Sequence, residues 1–146
     1  MAITQALANS FKKELLEAEH NFKQTGGDKF KIALYTSSAT LNSATTSFTT
    51  TNEVANSGQY TSGGGALSNL GTSIASGVAI VDYADRSFTG VTLTARGALI
   101  YNTSATATNA AVAALDFGAD KTATSGTFTI QFPAFTTSAA ILRISG

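Results

Sequence analysis

Val91-Thr92-Leu93-Thr94-Ala95-Arg96-Gly97-Ala98-Leu99-Ile100-Tyr101-Asn102 is the longest run in the chain that reads as strand without a break. Its first half alternates Val91, Leu93 and Ala95 with Thr92, Thr94 and Arg96, the two-residue period of a strand with one wet face. After Gly97 the residues Ala98 to Tyr101 are apolar in succession, which requires cover on both faces. The pattern predicts a strand that starts half exposed, passes a bulge at Gly97 and ends in the core. An Arg buried in such a stretch needs a carboxylate partner. Asp82, Asp85 and Asp116 stand on the neighbouring predicted strands, so Arg96 is assigned to a structural ion pair with Asp82 or Asp116. The stretch is scaffold, not active site.

The same signals recur on both sides of it. Residues 78–83 and 86–89 read as strands upstream. Residues 111–117 follow downstream, closed by a turn at Gly118-Ala119-Asp120-Lys121. Phe128, Ile130 and Phe132 alternate until Pro133, which ends a strand or confines it to a sheet edge. Residues 139–145 form a last strand. Nearer the start, Phe30, Ile32 and Leu34 alternate with Lys31 and Tyr35. With 23 Thr and 15 Ser among 146 residues, strand and turn formers dominate the chain. Six to eight strands joined by short turns predict a mainly β fold, an antiparallel sandwich or jelly-roll-like domain preceded by one helix. The length fits one domain over residues 1–146, with the helical head at 1–25 and the β-rich body at 29–146.

The head carries the charge. Nine of the 18 charged residues fall between Lys12 and Lys31, and the other nine are scattered over residues 32–146. Ile3, Leu7, Phe11, Leu15, Ala18 and Phe22 recur at helical spacing, predicting an amphipathic helix over residues 4–23 with Thr4 as N-cap and Gly26-Gly27 as the stop. Such a stripe covers the protein's own sheet or docks on a neighbouring subunit. Phe11, Leu15 and Phe22 are therefore candidate partner contacts. His20, beside Glu19 and without a second ligand nearby, is read as a surface residue. The polar segment at 37–57 is long for a compact domain, and a loop of that length is functional or ordered by a partner. Phe48 and Thr50 are its candidate contacts, and Thr49-Thr50-Thr51 a short edge strand.

Composition excludes several classes of function. Net charge is zero and 12% of residues are charged, leaving no electrostatic drive towards nucleic acid or an anionic membrane. With no Cys there is neither disulfide nor thiolate metal site. The start has no basic-then-apolar signal, and apolar runs stop at about six residues, short of a membrane span. The expectation is a soluble product made in a cytoplasm.

No catalytic constellation assembles, and no enzyme is expected. Gly63-Gly64-Gly65 lacks the Lys and Ser/Thr of a phosphate loop and reads as a turn or bulge. Gly71-Thr72-Ser73-Ile74-Ala75 fails the nucleophile-elbow pattern at its last position. Asp82 and Asp85 fall on opposite faces of a straight strand. A calcium site from Asp82, Asp85 or Asp116 has no EF-hand spacing, and no cofactor or metal is assigned. Tyr35, Tyr60, Tyr83 and Tyr101 read as packing residues first and as a sugar-binding face second.

Several stretches taken together resemble a group of small tailed-phage virion proteins: Phe11-Lys12-Lys13-Glu14-Leu15-Leu16, Phe30-Lys31-Ile32-Ala33-Leu34-Tyr35-Thr36-Ser37-Ser38-Ala39, Tyr60-Thr61-Ser62-Gly63-Gly64, Ala95-Arg96-Gly97-Ala98-Leu99-Ile100-Tyr101-Asn102, Leu115-Asp116-Phe117-Gly118 and Phe128 to Pro133. The likeness runs in order along nearly the whole chain and marks a family, with no active site to carry over. It implies a structural component of the particle, in the first place a capsid decoration (cement) protein located in the virion. Its partners would be the major capsid protein or other virion proteins, and its own form a homo-oligomer, a trimer on a capsid threefold axis being favoured. A tail or neck component is the alternative, and a carbohydrate-binding module the one from another class.

Overall fold

The computed structural model describes residues 2–146. Strand accounts for 48% of the chain and helix for 6%, in antiparallel sheets with one short helix and a sandwich-like arrangement. The elements in order are β1 (Ala6–Leu7), α1 (Asn9–Leu16), β2 (Phe30–Tyr35), β3 (Gly65–Ala66), β4 (Asn69–Ala75), β5 (Val78–Tyr83), β6 (Arg86–Asn102), β7 (Ala110–Ile130) and β8 (Leu142–Ile144). The larger sheet runs β1-β7-β6-β2-β3 and the smaller one β4-β5-β8.

Residues 91–102 form the greater part of β6, and their burial follows the sequence pattern. Val91, Leu93 and Ala95 are buried while Thr92 and Thr94 are exposed, and from Gly97 to Asn102 every residue is buried. β6 and β7 form one long hairpin, with Asn102 opposite Ala110 at the tip and Arg86 opposite Ile130 at the base. β2 pairs the other edge of β6, from Phe30 opposite Asn102 to Tyr35 opposite Gly97. The inner half of β6 is thus flanked on both sides, which is what an apolar run on both faces demands.

Gly97 marks an irregularity, but the extra residues are on the partner strand. Between the pairs Ala95–Lys121 and Gly97–Asp116, Arg96 alone faces residues 117–120 of β7. The turn expected at Gly118 to Lys121 is therefore an excursion inside β7, made with Gly118 at φ 82°, and the two expected strands around it are one. Gly97 itself answers a need for space. A Cβ there would meet the Leu115 carbonyl oxygen and the Ile3 side chain.

The head departs most from expectation. α1 spans eight residues, not twenty. Ile3 and Leu7 reach the core from extended chain, Ile3 bridging Leu41 and Leu7 pairing Ala113. Ala8, not Thr4, is the N-cap, with no side-chain hydrogen bond. The helix ends in a Schellman turn, with Glu19 N–H donating to the Glu14 carbonyl and Ala18 N–H to that of Leu15. Ala18 sits at φ 60° to make it. Helical periodicity and an extended return give the same burial for Phe11 and Phe22, so spacing alone could not separate them.

Residues 36–60 form no strand, and Thr49 to Thr51 run instead into a turn at Asn52, φ 60°. The segment lies across the larger sheet. Ala39, Leu41 and Val54 are buried beneath it, and Phe48 stacks on Tyr101 at 4.7 Å. On the sheet's other face, Phe30 stacks on Phe22 and meets Tyr83 of the small sheet at 5.7 Å. Most of the buried apolar side chains make one continuous cluster.

Candidate interaction surface

Most side chains that looked available for chemistry are committed to the scaffold. His20 is buried, which corrects its assignment to the surface. Its Nε2 lies 3.0 Å from Glu14 Oε1 and its Nδ1 2.9 Å from Asn102 Nδ2. Asn102 Nδ2 also donates to Asp28 Oδ2 at 2.8 Å, and its Oδ1 accepts the Ser104 and Ala105 amides. An amide nitrogen can only donate, so Nδ1 of His20 is the acceptor and Nε2–H points to Glu14. This chain of bonds ties the head to the tip of the β6–β7 hairpin.

A second cluster holds the long loop. Glu53 Oε2 accepts Tyr60 Oη–H and Gly63 N–H, each at 2.7 Å, and Oε1 accepts the Ser62 hydroxyl at 2.8 Å. Tyr35 Oη donates to the Thr49 carbonyl and Tyr101 Oη to that of Gly63. All four tyrosines are at most 2% exposed, so no tyrosine face is offered to a sugar. Burial is the main cause that raises each phenol above its usual range; Glu53 adds to it for Tyr101, which is pushed up to about 12.

Arg96 Nε donates to Asp116 Oδ1 at 3.0 Å. Asp116 also accepts Gly118 N–H, and that bond followed by the Arg96 contact holds its carboxyl below the usual range. Asp82 belongs to neither. It is fully buried in β5, with Oδ1 accepting Tyr83 N–H and Oδ2 without a partner, and burial pushes its carboxyl up. No group of three or more His, Asp or Glu side chains among the described residues could hold a metal. No helix among them is long and apolar enough to cross a membrane.

Of the candidate contacts, Phe11 and Phe22 are buried in the protein's own core, because the chain turns back after Ala18 and closes over them. Leu15 and Phe48 are half-buried against that core, and Thr50 is exposed. The exposed apolar groups are others. Leu16 is 90% exposed, Ile74 72% and Ile144 59%. No sequence signal singled out Leu16, since adjacent positions such as i+3 and i+4 both belong to an ordinary core-facing stripe.

Leu16 and Ile144 line a groove of about 740 Å³ between α1 and one face of the small sheet. Ile74 is opposite Ala79 and Ala79 opposite Ile144, so the three form an apolar row across β4, β5 and β8. Val81 and Leu142 make the next row inward, and Phe11 and Leu15 close the helix side. Lys12 and Lys23 stand along that side and no carboxylate lines the groove.

No family model, no curated protein and no solved structure matches the chain.

A different surface covers the outer hairpin. Ser87 bonds Thr129, and Thr94 bonds Thr122, each at 2.9 Å across the strands, and Thr89, Thr124 and Thr127 add to an exposed hydroxyl face. What the molecule presents outward is thus a neutral hydroxyl-rich sheet and one apolar groove. Exposed apolar patches beside a groove are a common feature of surfaces that meet other molecules.

Proposed function

We propose that this chain is a non-enzymatic structural protein of a tailed-phage particle, a capsid decoration protein that clamps neighbouring subunits of the major capsid shell. The observation that carries the reading is the apolar patch of Leu16, Ile74 and Ile144 on an otherwise neutral, hydroxyl-rich exterior. Exposed apolar residues gathered beside a groove mark an interaction site. The sequence likeness to small virion proteins supplies the setting. A structural component needs a rigid body and a surface that assembles by shape and hydrogen bonding, and the buried tyrosine and histidine clusters support the first.

The test is copy number. Cryo-electron microscopy of the particle should find the protein repeated over the shell, in trimers at threefold positions. A few copies at one vertex would make it a tail or neck component instead, and its absence from particles would remove the virion reading.

A further inference from the structure

We infer that the groove between α1 and the small sheet is the docking site for an apolar segment bearing carboxylates, supplied by a different protein. The inference rests on the reading of this chain as an interaction protein and adds the chemistry of what it holds. Three features choose the occupant.

The first is charge. Lys12, Lys23 and Arg143 line the groove, no carboxylate does, and none of the three pairs with an acid among the described residues. Glu14 on the helix and Glu17 at its C-cap are already engaged by His20 and Lys13. A chain with equal numbers of acids and bases has thus left three cations without an ion pair beside this apolar groove. Carboxylates on the incoming segment complete that rim.

The second is extent. A small amphiphile would fill the floor of Phe11, Leu15, Val81 and Leu142. It would leave Ile74 in water, because Ile74 lies beyond the lining, at the end of the row that Ala79 and Ile144 continue. A polypeptide segment lying along the groove covers floor and rim together.

The third is symmetry. A twofold contact between two copies through this face would bring two cationic rims together with no carboxylate from either. Like charges so juxtaposed disfavour that pairing.

The test uses the full chain and a labelled amphipathic peptide with a leucine face and glutamates on its other side, compared with a counterpart in which lysine replaces every glutamate. Anisotropy should show saturable binding of the acidic peptide, weakening with salt, and little of the basic one. Lys12→Glu with Lys23→Glu should lower that affinity about tenfold, since two attractive pairs become repulsive. Leu16→Ser should also weaken it; because Leu16 is 90% exposed, the fold does not depend on it, and circular dichroism verifies this. Equal binding of both peptides, or of neither, overturns the inference. So does binding of dodecanoate in place of the peptide, or self-association in sedimentation that Leu16→Ser abolishes. Peptide binding by a protein missing from particles would leave the groove assignment standing and remove only the virion reading. A shell protein whose variants bind the peptide unchanged would do the reverse.

Discussion

Asn102 shows how much one side chain can decide. It ends β6 with its amide nitrogen between His20 and Asp28 and its oxygen on two loop amides. In Asn102→Asp a carboxylate oxygen replaces the donor and faces Asp28 Oδ2. The expected loss is about 3 kcal/mol, combining an unsatisfied buried acceptor with like charges, measured by urea unfolding. Gly64 is a second such position. Its φ is 81°, and a methyl group there would run into the Ile32 carbonyl. Gly64→Ala should cost about 3 kcal/mol, part backbone strain and part overpacking. A variant that unfolds at the wild-type urea midpoint would show that Gly64 does not press against β2. Neither role was legible in the sequence. Asn102 stood there only as the end of a strand and His20 as a surface residue, because partners 82 and 74 positions away leave no trace in local spacing.

At the scale of elements, legibility depended on whether the pattern was local. β6 could be read nearly residue by residue, since alternation and its loss report burial directly. β4 was passed over: its residues from Thr72 to Ala75 are exposed, so no apolar period marks them. The head was read as helix because helical spacing fitted its apolar residues, yet the structure buries them from a short strand, a short helix and an extended return. Ala18 marks the crossover. An L-residue in the left-handed region costs about 1–2 kcal/mol, offset in part by the greater chain entropy of glycine. Ala18→Gly should therefore stabilise the protein by about 0.5–1 kcal/mol and raise its melting temperature. An unchanged or lower temperature would place the helix end elsewhere. The ion pair was legible in part. Arg96 does meet a carboxylate, Asp116, and Asp82 sits alone because it lies in the other sheet.

For the whole molecule, the four buried tyrosines give a pH dependence whose sign can be worked out. Each folded-state pKa lies above the unfolded value of about 10. Their contribution is complete below that value and is lost as pH rises through the folded values. Alkaline titration should show tyrosinate absorbance appearing together with loss of β circular dichroism, in one transition displaced above pH 10. Phenols that ionise near pH 10 with the fold intact would contradict their burial. Asp116 acts at the other end. Its lowered pKa favours the fold above the ordinary carboxylate range, and that support fades as pH falls through the folded value.

The way the head is fastened bears on the order in which the chain folds. The tip of the β6–β7 hairpin joins residues eight positions apart, Asn102 and Ala110, and can close early. Gln5 reaches Asp116 across 111 positions and Glu19 reaches Thr106 across 87. Contacts so distant close large loops before they return any stabilisation, so such topologies fold on the millisecond-to-second scale. The head should be the last part to dock and the first to open, exposing Phe11 and Phe22 before the hairpin separates. In native-state hydrogen exchange, amides of α1 would then lose protection ahead of those of β6.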